Sequence, residues 1–150
     1  MSTSLWPGSR FDIGSNYEYC CQNYQMPIAG RNMHGSWTTT SIDGKDADIF
    51  TPDSPRSGRA VIHLHGHGLT TLKDNEAFSK ELNECGLRVV CPHGQRSWWL
   101  PEICSEFDAE LTPFDYVRNK VVSWIGENWD VQTPNIALTG ISMGGQGVIQ

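Results

Sequence analysis

The sequence predicts an α/β protein: a mostly parallel sheet with helices on both faces, closing on a strand–turn–helix that carries a serine. Three observations lead there. From about residue 59 onward, short apolar runs of strand length alternate with stretches of helical period. An Asp43-Gly44 hairpin signal precedes them. The last apolar run, Ile136-Ala137-Leu138, opens directly into Gly140-Ile141-Ser142-Met143-Gly144-Gly145.

Residues 1–34 show no clean period and read as an irregular N-terminal extension. They hold Trp6, Phe11, Tyr17, Tyr19 and Tyr24. Residues 35–150 read as the folded part. Residues 37–42 are β-prone, and residues 46–50 form the return strand of a hairpin. Pro52, Pro55 and Gly58 then break the chain. Residues 59–65 predict a central parallel strand, running into Gly66-His67-Gly68. A helix follows from about Asp74 to Cys85, with Phe78, Leu82 and Cys85 on its buried face and Gly86 closing it. The charges at Lys73, Asp74, Glu76, Lys80, Glu81 and Glu84 read as a solvated face. Residues 87–91 predict the next strand, stopped by Pro92. A long connection over 93–112 carries His93, Trp98 and Trp99. Thr112 then caps a second helix, with Pro113 at its first position and Asp115 in its first turn. Phe114, Val117, Val121, Trp124 and Ile125 form that helix's apolar face.

In such a sheet, ligands sit outside the carboxyl ends of the strands. Gly66-His67-Gly68, His93-Gly94 and the Ser142 turn all fall there. Gly-x-Ser-x-Gly after a strand is the pattern of a nucleophile elbow. The serine occupies a sharp, strained turn, so small residues are needed on both sides, here Gly140 and Gly144. The Met143 N–H, at the start of the following helix, would face a developing oxyanion. A phosphate loop is disfavoured: no Lys-Ser/Thr follows the glycines, and they are not spaced G-x-G-x-x-G.

The 150 residues suit one domain, and a net charge of −6 without a basic run argues against nucleic acid or an anionic membrane as partner. No apolar segment is long enough to span a bilayer, and the start lacks the order of a signal peptide. Five cysteines, Cys20, Cys21, Cys85, Cys91 and Cys104, match no zinc spacing. Cys85 and Cys91 read as small core residues in a reducing cytosol, which places the protein in the cytoplasm.

Two motifs in this order carry a resemblance. Residues 140–147 resemble the G-x-S-M-G-G-x-G elbow of the esterase D and S-formylglutathione hydrolase type. His65-Gly66-His67-Gly68, after an apolar strand, resembles the oxyanion loop of the same α/β-hydrolase superfamily. The resemblance implies a serine hydrolase of small-molecule carboxylic esters or thioesters, with no cofactor or metal. It implies Ser142 as nucleophile and the Met143 and His67 N–H groups as oxyanion hole. Gly66 and Gly68 would let the loop approach the substrate carbonyl. From their place beyond the strand ends, His93, Trp98 and Trp99 are candidates to line a substrate pocket, with a turn role for His93 and packing under the loop for the two tryptophans as the alternatives.

The superfamily's triad runs serine, acid, histidine along the chain. No acid and no histidine follows Ser142 here. The expectation is the N-terminal half of a longer enzyme or a truncated product, inactive alone. Its last strand would be left as an open edge, prone to self-association. A second reading is a non-catalytic fragment that binds a partner. A third is a metal-dependent hydrolase built on the alternating His63, His65 and His67, although strands alternate by default and no Asp follows at a useful spacing. On the bland reading His65 is a structural loop residue and His63 a core histidine with one backbone partner.

Overall fold

A computed structural model describes residues 35–56 and 58–150, all within one compact unit, Met33–Gln150. The expected extension over 1–34, with its aromatic residues and Cys20-Cys21, lies outside the described residues.

The first hairpin comprises β1 (Ser36–Ile42) and β2 (Lys45–Thr51), paired antiparallel. Its turn places Asp43 at φ 50° and Gly44 at φ 78°. Two consecutive left-handed residues match the twist of the flanking strands, which is why Asp-Gly stands there. β3 (Ala60–Leu64), β4 (Arg88–Pro92) and β5 (Ile136–Gly140) are mutually parallel, and the sheet order is β1-β2-β4-β3-β5. Pro92 does not stop the fourth strand. It is the strand's last paired residue, opposite Ala47, where the missing N–H costs little.

Four helical segments follow the expected order: α1 (Glu76–Cys85), α2 (Pro113–Asp115), α3 (Val122–Trp129) and α4 (Met143–Ile149). Asn75 caps α1 by accepting the Phe78 N–H at 3.2 Å, and Gly86 ends it at φ 65°. Thr112 caps α2 through the Asp115 N–H at 3.0 Å. Between α2 and α3 the helix widens into a π segment, Tyr116–Val121. The wider turn brings adjacent Tyr116 and Val117 both into the core, so fully buried Tyr116 joins the face expected for its neighbours.

Side chains alternate across the sheet into two clusters. Ile62, Leu64 and Val90 pack with Tyr116, Val121, Ile125 and Met143 on one face. Phe50, Val89 and Cys91 pack with Leu72 on the other, where Leu82 of α1 leans against them. Helices thus cover both faces. α1 sits differently from its apolar pattern: Phe78 is 50% exposed, Cys85 is exposed, and no residue of the helix is fully buried. Its contact face runs through Ser79, Leu82 and Asn83. The Trp37 indole donates to Ser79 Oγ at 2.9 Å, and Asn83 Oδ1 accepts the Asp53 N–H at 2.8 Å. Hydrogen bonds, which hydropathy does not register, turn this helix.

Candidate active site

The chain leaves β3 for β4 on one side of the sheet and later returns to β5 on the other. The carboxyl end of β3 is therefore the point where strand order reverses, the crevice in which open parallel sheets bind ligands. Gly66-His67-Gly68 leaves β3 there, and Ser142 leaves the neighbouring β5.

Ser142 is exposed, with φ 54° and ψ −115°. That backbone is disfavoured for any residue with a Cβ. Close packing holds it. A Cβ on Gly144 would overlap the Leu64 carbonyl oxygen, and one on Gly140 would strike the Gly144 backbone. Only bare backbone fits on either side of the serine. The Gly144 N–H donates to Ile141 O at 2.8 Å, closing the turn, and α4 begins at Met143 with its side chain fully buried.

The loop after β3 reaches this turn. A Cβ on Gly66 would stand 3.1 Å from Ile141 O and 3.5 Å from the Ser142 Cβ. Gly68, by contrast, borders open space, so close approach rests on Gly66 alone. Among the described residues, neither the Met143 N–H nor the His67 N–H meets an acceptor. Amides without a protein acceptor are open to solvent or to a ligand oxygen.

The histidines are committed elsewhere. His63 is buried; its Nδ1 lies 3.1 Å from Thr139 Oγ1, which donates onward to Ile62 O at 3.4 Å. Its partner is thus a side chain and not the expected backbone group. His65 donates from Nδ1 to Gly66 O at 2.9 Å and accepts the Gly94 N–H at Nε2 at 3.0 Å, so it is the neutral Nδ1–H tautomer. Burial pushes both imidazoles below their ordinary pKa. This weighs against the metal reading of His63, His65 and His67: both ring nitrogens of His65 and Nδ1 of His63 are spent on protein partners. Among the described residues no cluster of His, Cys, Asp or Glu is arranged to hold a metal.

His93 is engaged with the first hairpin. Its Nε2 donates to the Asp48 carboxylate at 3.0 Å, and it lines a polar cavity of about 270 Å³ with Lys45, Asp46 and Gln95. Asp48 is 4% exposed and also accepts from Thr39 at 2.7 Å, Thr71 at 2.9 Å and Lys73 at 3.2 Å. Burial pushes this carboxyl up, but hydrogen bonds from Thr39, His93, Thr71 and Lys73 outweigh it and hold the pKa at about 2. Lys73, expected on a solvated face, is thereby tied to the sheet. An acid inside the run Ala47–Phe50 is the sequence signal for this network.

Trp98 and Trp99 have separate fates. Both adopt left-handed backbone, φ 57° and 56°. Trp99 is 1% exposed, donates its indole N–H to His65 O at 3.1 Å, and presses on Gly94 and Gly147. It also lines an apolar groove of about 330 Å³ whose lining includes neither Ser142 nor His67. Trp99 therefore supports the loop from beneath and does not wall a pocket at the serine. Trp98 is 46% exposed, with its ring 6.4 Å from that of His67.

No protein-family model and no curated protein matches the sequence. Solved structures do. An S-formylglutathione hydrolase from Agrobacterium tumefaciens superposes with a TM-score of 0.59 at 17% identity, over 80% of this chain and 53% of that one. The Staphylococcus aureus fluorophosphonate-binding serine hydrolase FphF, substrate bound, gives 0.56 at 16% identity, over 75% and 49%. An esterase/lipase from an uncultured bacterium gives 0.53 at 13% identity, over 77% and 37%. The chain spans about half the length, or less, of the structures it matches. At such identities the likeness is one of architecture: the mixed five-stranded sheet, its helices and its strand order are those of the α/β-hydrolase fold.

Proposed function

We propose that this chain carries the nucleophile and oxyanion-hole portion of a serine hydrolase acting on small-molecule carboxylic esters or thioesters. Ser142 Oγ attacks the carbonyl carbon, and the oxygen that gains charge is held by the Met143 and His67 N–H groups. The alcohol or thiol departs with a proton, and water then releases the acid from the acyl-serine. One such donor contributes roughly 3 kcal/mol to the transition state. The observation that supports the reading is the approach of Gly66 to the Ser142 turn, where the serine stands exposed on strained backbone.

In this reading none of the described histidines serves as the general base. His63, His65 and His93 hold other partners, and no described hydrogen bond joins Ser142 to an imidazole. In this proposal the triad's acid and histidine are supplied by residues outside these 150. The test is a fluorophosphonate probe with peptide mapping. Modification at Ser142, raised when the complementary portion is supplied and absent in Ser142→Ala, is expected. Modification at other serines only would overturn the proposal.

One observation favours a second reading, a fragment that binds a partner through its edge. Among the described residues β5 is the last strand of the sheet; Leu138, Ile141 and Ile149 are 37%, 62% and 83% exposed. Unpaired edges flanked by apolar side chains associate. Light scattering of the chain alone decides: oligomers that grow with concentration are expected, and a monodisperse monomer would dismiss this reading.

A further inference from the structure

The stretch after β4 concentrates backbone strain: Gln95, Trp98 and Trp99 all have φ between 51° and 57°. A bulky residue in that region costs of order 1 kcal/mol or more, so two adjacent tryptophans there need a structural cause. Trp99 supplies half of it. Its backbone N–H donates to buried Ser97 Oγ at 3.3 Å, its indole N–H is bonded to His65 O, and its ring meets the His65 ring edge-on at 5.0 Å. With Trp99 locked under the loop, the left-handed step to its neighbour aims Trp98 outward.

Trp98 stays 46% exposed and, among the described residues, its indole makes no hydrogen bond. It stands beside His67, with rings tilted at 51° and centroids 6.4 Å apart. That spacing is within the range of interacting rings, and both side chains remain accessible. His67 directly follows Gly66, whose Cβ position lies 3.5 Å from the Ser142 Cβ, so the ring pair belongs to the loop that packs on the serine turn.

We propose that Trp98, with the His67 ring, is the specificity wall of this site and stacks on a planar aryl group of the substrate. A flat ring enters a tilted pair with its face against one ring and its edge towards the other, a fit that a puckered ring of equal size lacks. This rests on the hydrolase reading for the word substrate; the recognition of an aryl group does not need the chemistry to proceed.

Binding of stable amide analogues to the full chain tests it, with affinities read from ligand-observed NMR titrations. Acetanilide places the aryl group on the leaving side of the carbonyl, N-methylbenzamide on the acyl side. N-cyclohexylacetamide and N-methylcyclohexanecarboxamide are their puckered counterparts. At least one aryl amide should bind about fivefold tighter than its counterpart, the size of an aromatic pair's advantage. Trp98→Ala should abolish that preference and Trp98→Phe should keep most of it, with thermal midpoints recorded for all three proteins. Whichever aryl amide shows the preference identifies the side of the carbonyl that is read. Equal binding of aryl and puckered amides, no binding of either, or a preference that survives in folded Trp98→Ala would overturn the proposal. Fluorophosphonate reaction at Ser142, run in parallel, reports on the hydrolase reading separately.

Discussion

Replacing Asp48 by asparagine keeps the shape of the side chain and removes its charge. Four donors converge on the carboxylate, from β1, β4's end and the loop after β3, at 2.7–3.2 Å. Asparagine offers one oxygen and turns an NH2 towards the remaining donors. The pKa of about 2, against an ordinary 3.8, corresponds to about 2.4 kcal/mol of native-state stabilisation at neutral pH. Lys73 is about a third exposed, so its share is screened. Unpaired donors add a penalty, which brings the expected loss at pH 7 to roughly 2–4 kcal/mol. The sign follows from the depressed pKa: the contribution is complete above about pH 4 and is lost as pH falls from there through 2. Urea unfolding of Asp48→Asn and the parent should thus show a constant gap between pH 7 and 5, narrowing by about 1 kcal/mol at pH 3. A gap under about 1 kcal/mol at pH 7, or one unchanged at pH 3, would refute the reasoning.

Three further outcomes are expected. Gly144→Ala drives a methyl into the Leu64 carbonyl and should cost roughly 4 kcal/mol or more, seen as a collapse of the thermal midpoint; a shift of only a degree or two would contradict the packing. Ser142→Gly relieves the backbone at φ 54° and should raise stability by about 1 kcal/mol while ending fluorophosphonate modification. Burial pushes the Cys91 thiol up to about 12, whereas Cys85 is exposed. Peptide mapping after brief iodoacetamide treatment at pH 8 should find Cys85 alkylated and Cys91 intact, and the reverse order would show the β4 core to be open.

What was legible in the sequence was local. The Asp43-Gly44 turn, the Thr112 cap and the Gly140–Gly144 turn each declare themselves within a few residues, because backbone sterics and capping act at that range. The strand pattern and motif order also carried the fold class. What escaped reading depends on distant partners. Asp48 meets Thr71 and His93 across 23 and 45 positions, so neither the role of Lys73 nor the direction of His93 had a local signature. Phe78 and Cys85 have helical spacing, but Ser79 and Asn83 set the docked face through hydrogen bonds. Adjacent Trp98 and Trp99 look alike in sequence; positive φ at both sends one under the loop and the other outward.

The tension at Ser142 is imposed from afar. The Leu64 carbonyl, contributed by β3, receives the Ile141 N–H at 3.3 Å and walls in Gly144. β5 brings the serine there, and β5 is the strand at the rim of the sheet. Fraying of that rim releases the turn into relaxed backbone while β1 to β4 keep their ladder. The geometry of the serine turn is then set by how seldom that strand opens, so anything that clamps β5 acts on the turn without touching it. Amide hydrogen exchange along residues 136–142 measures that opening directly.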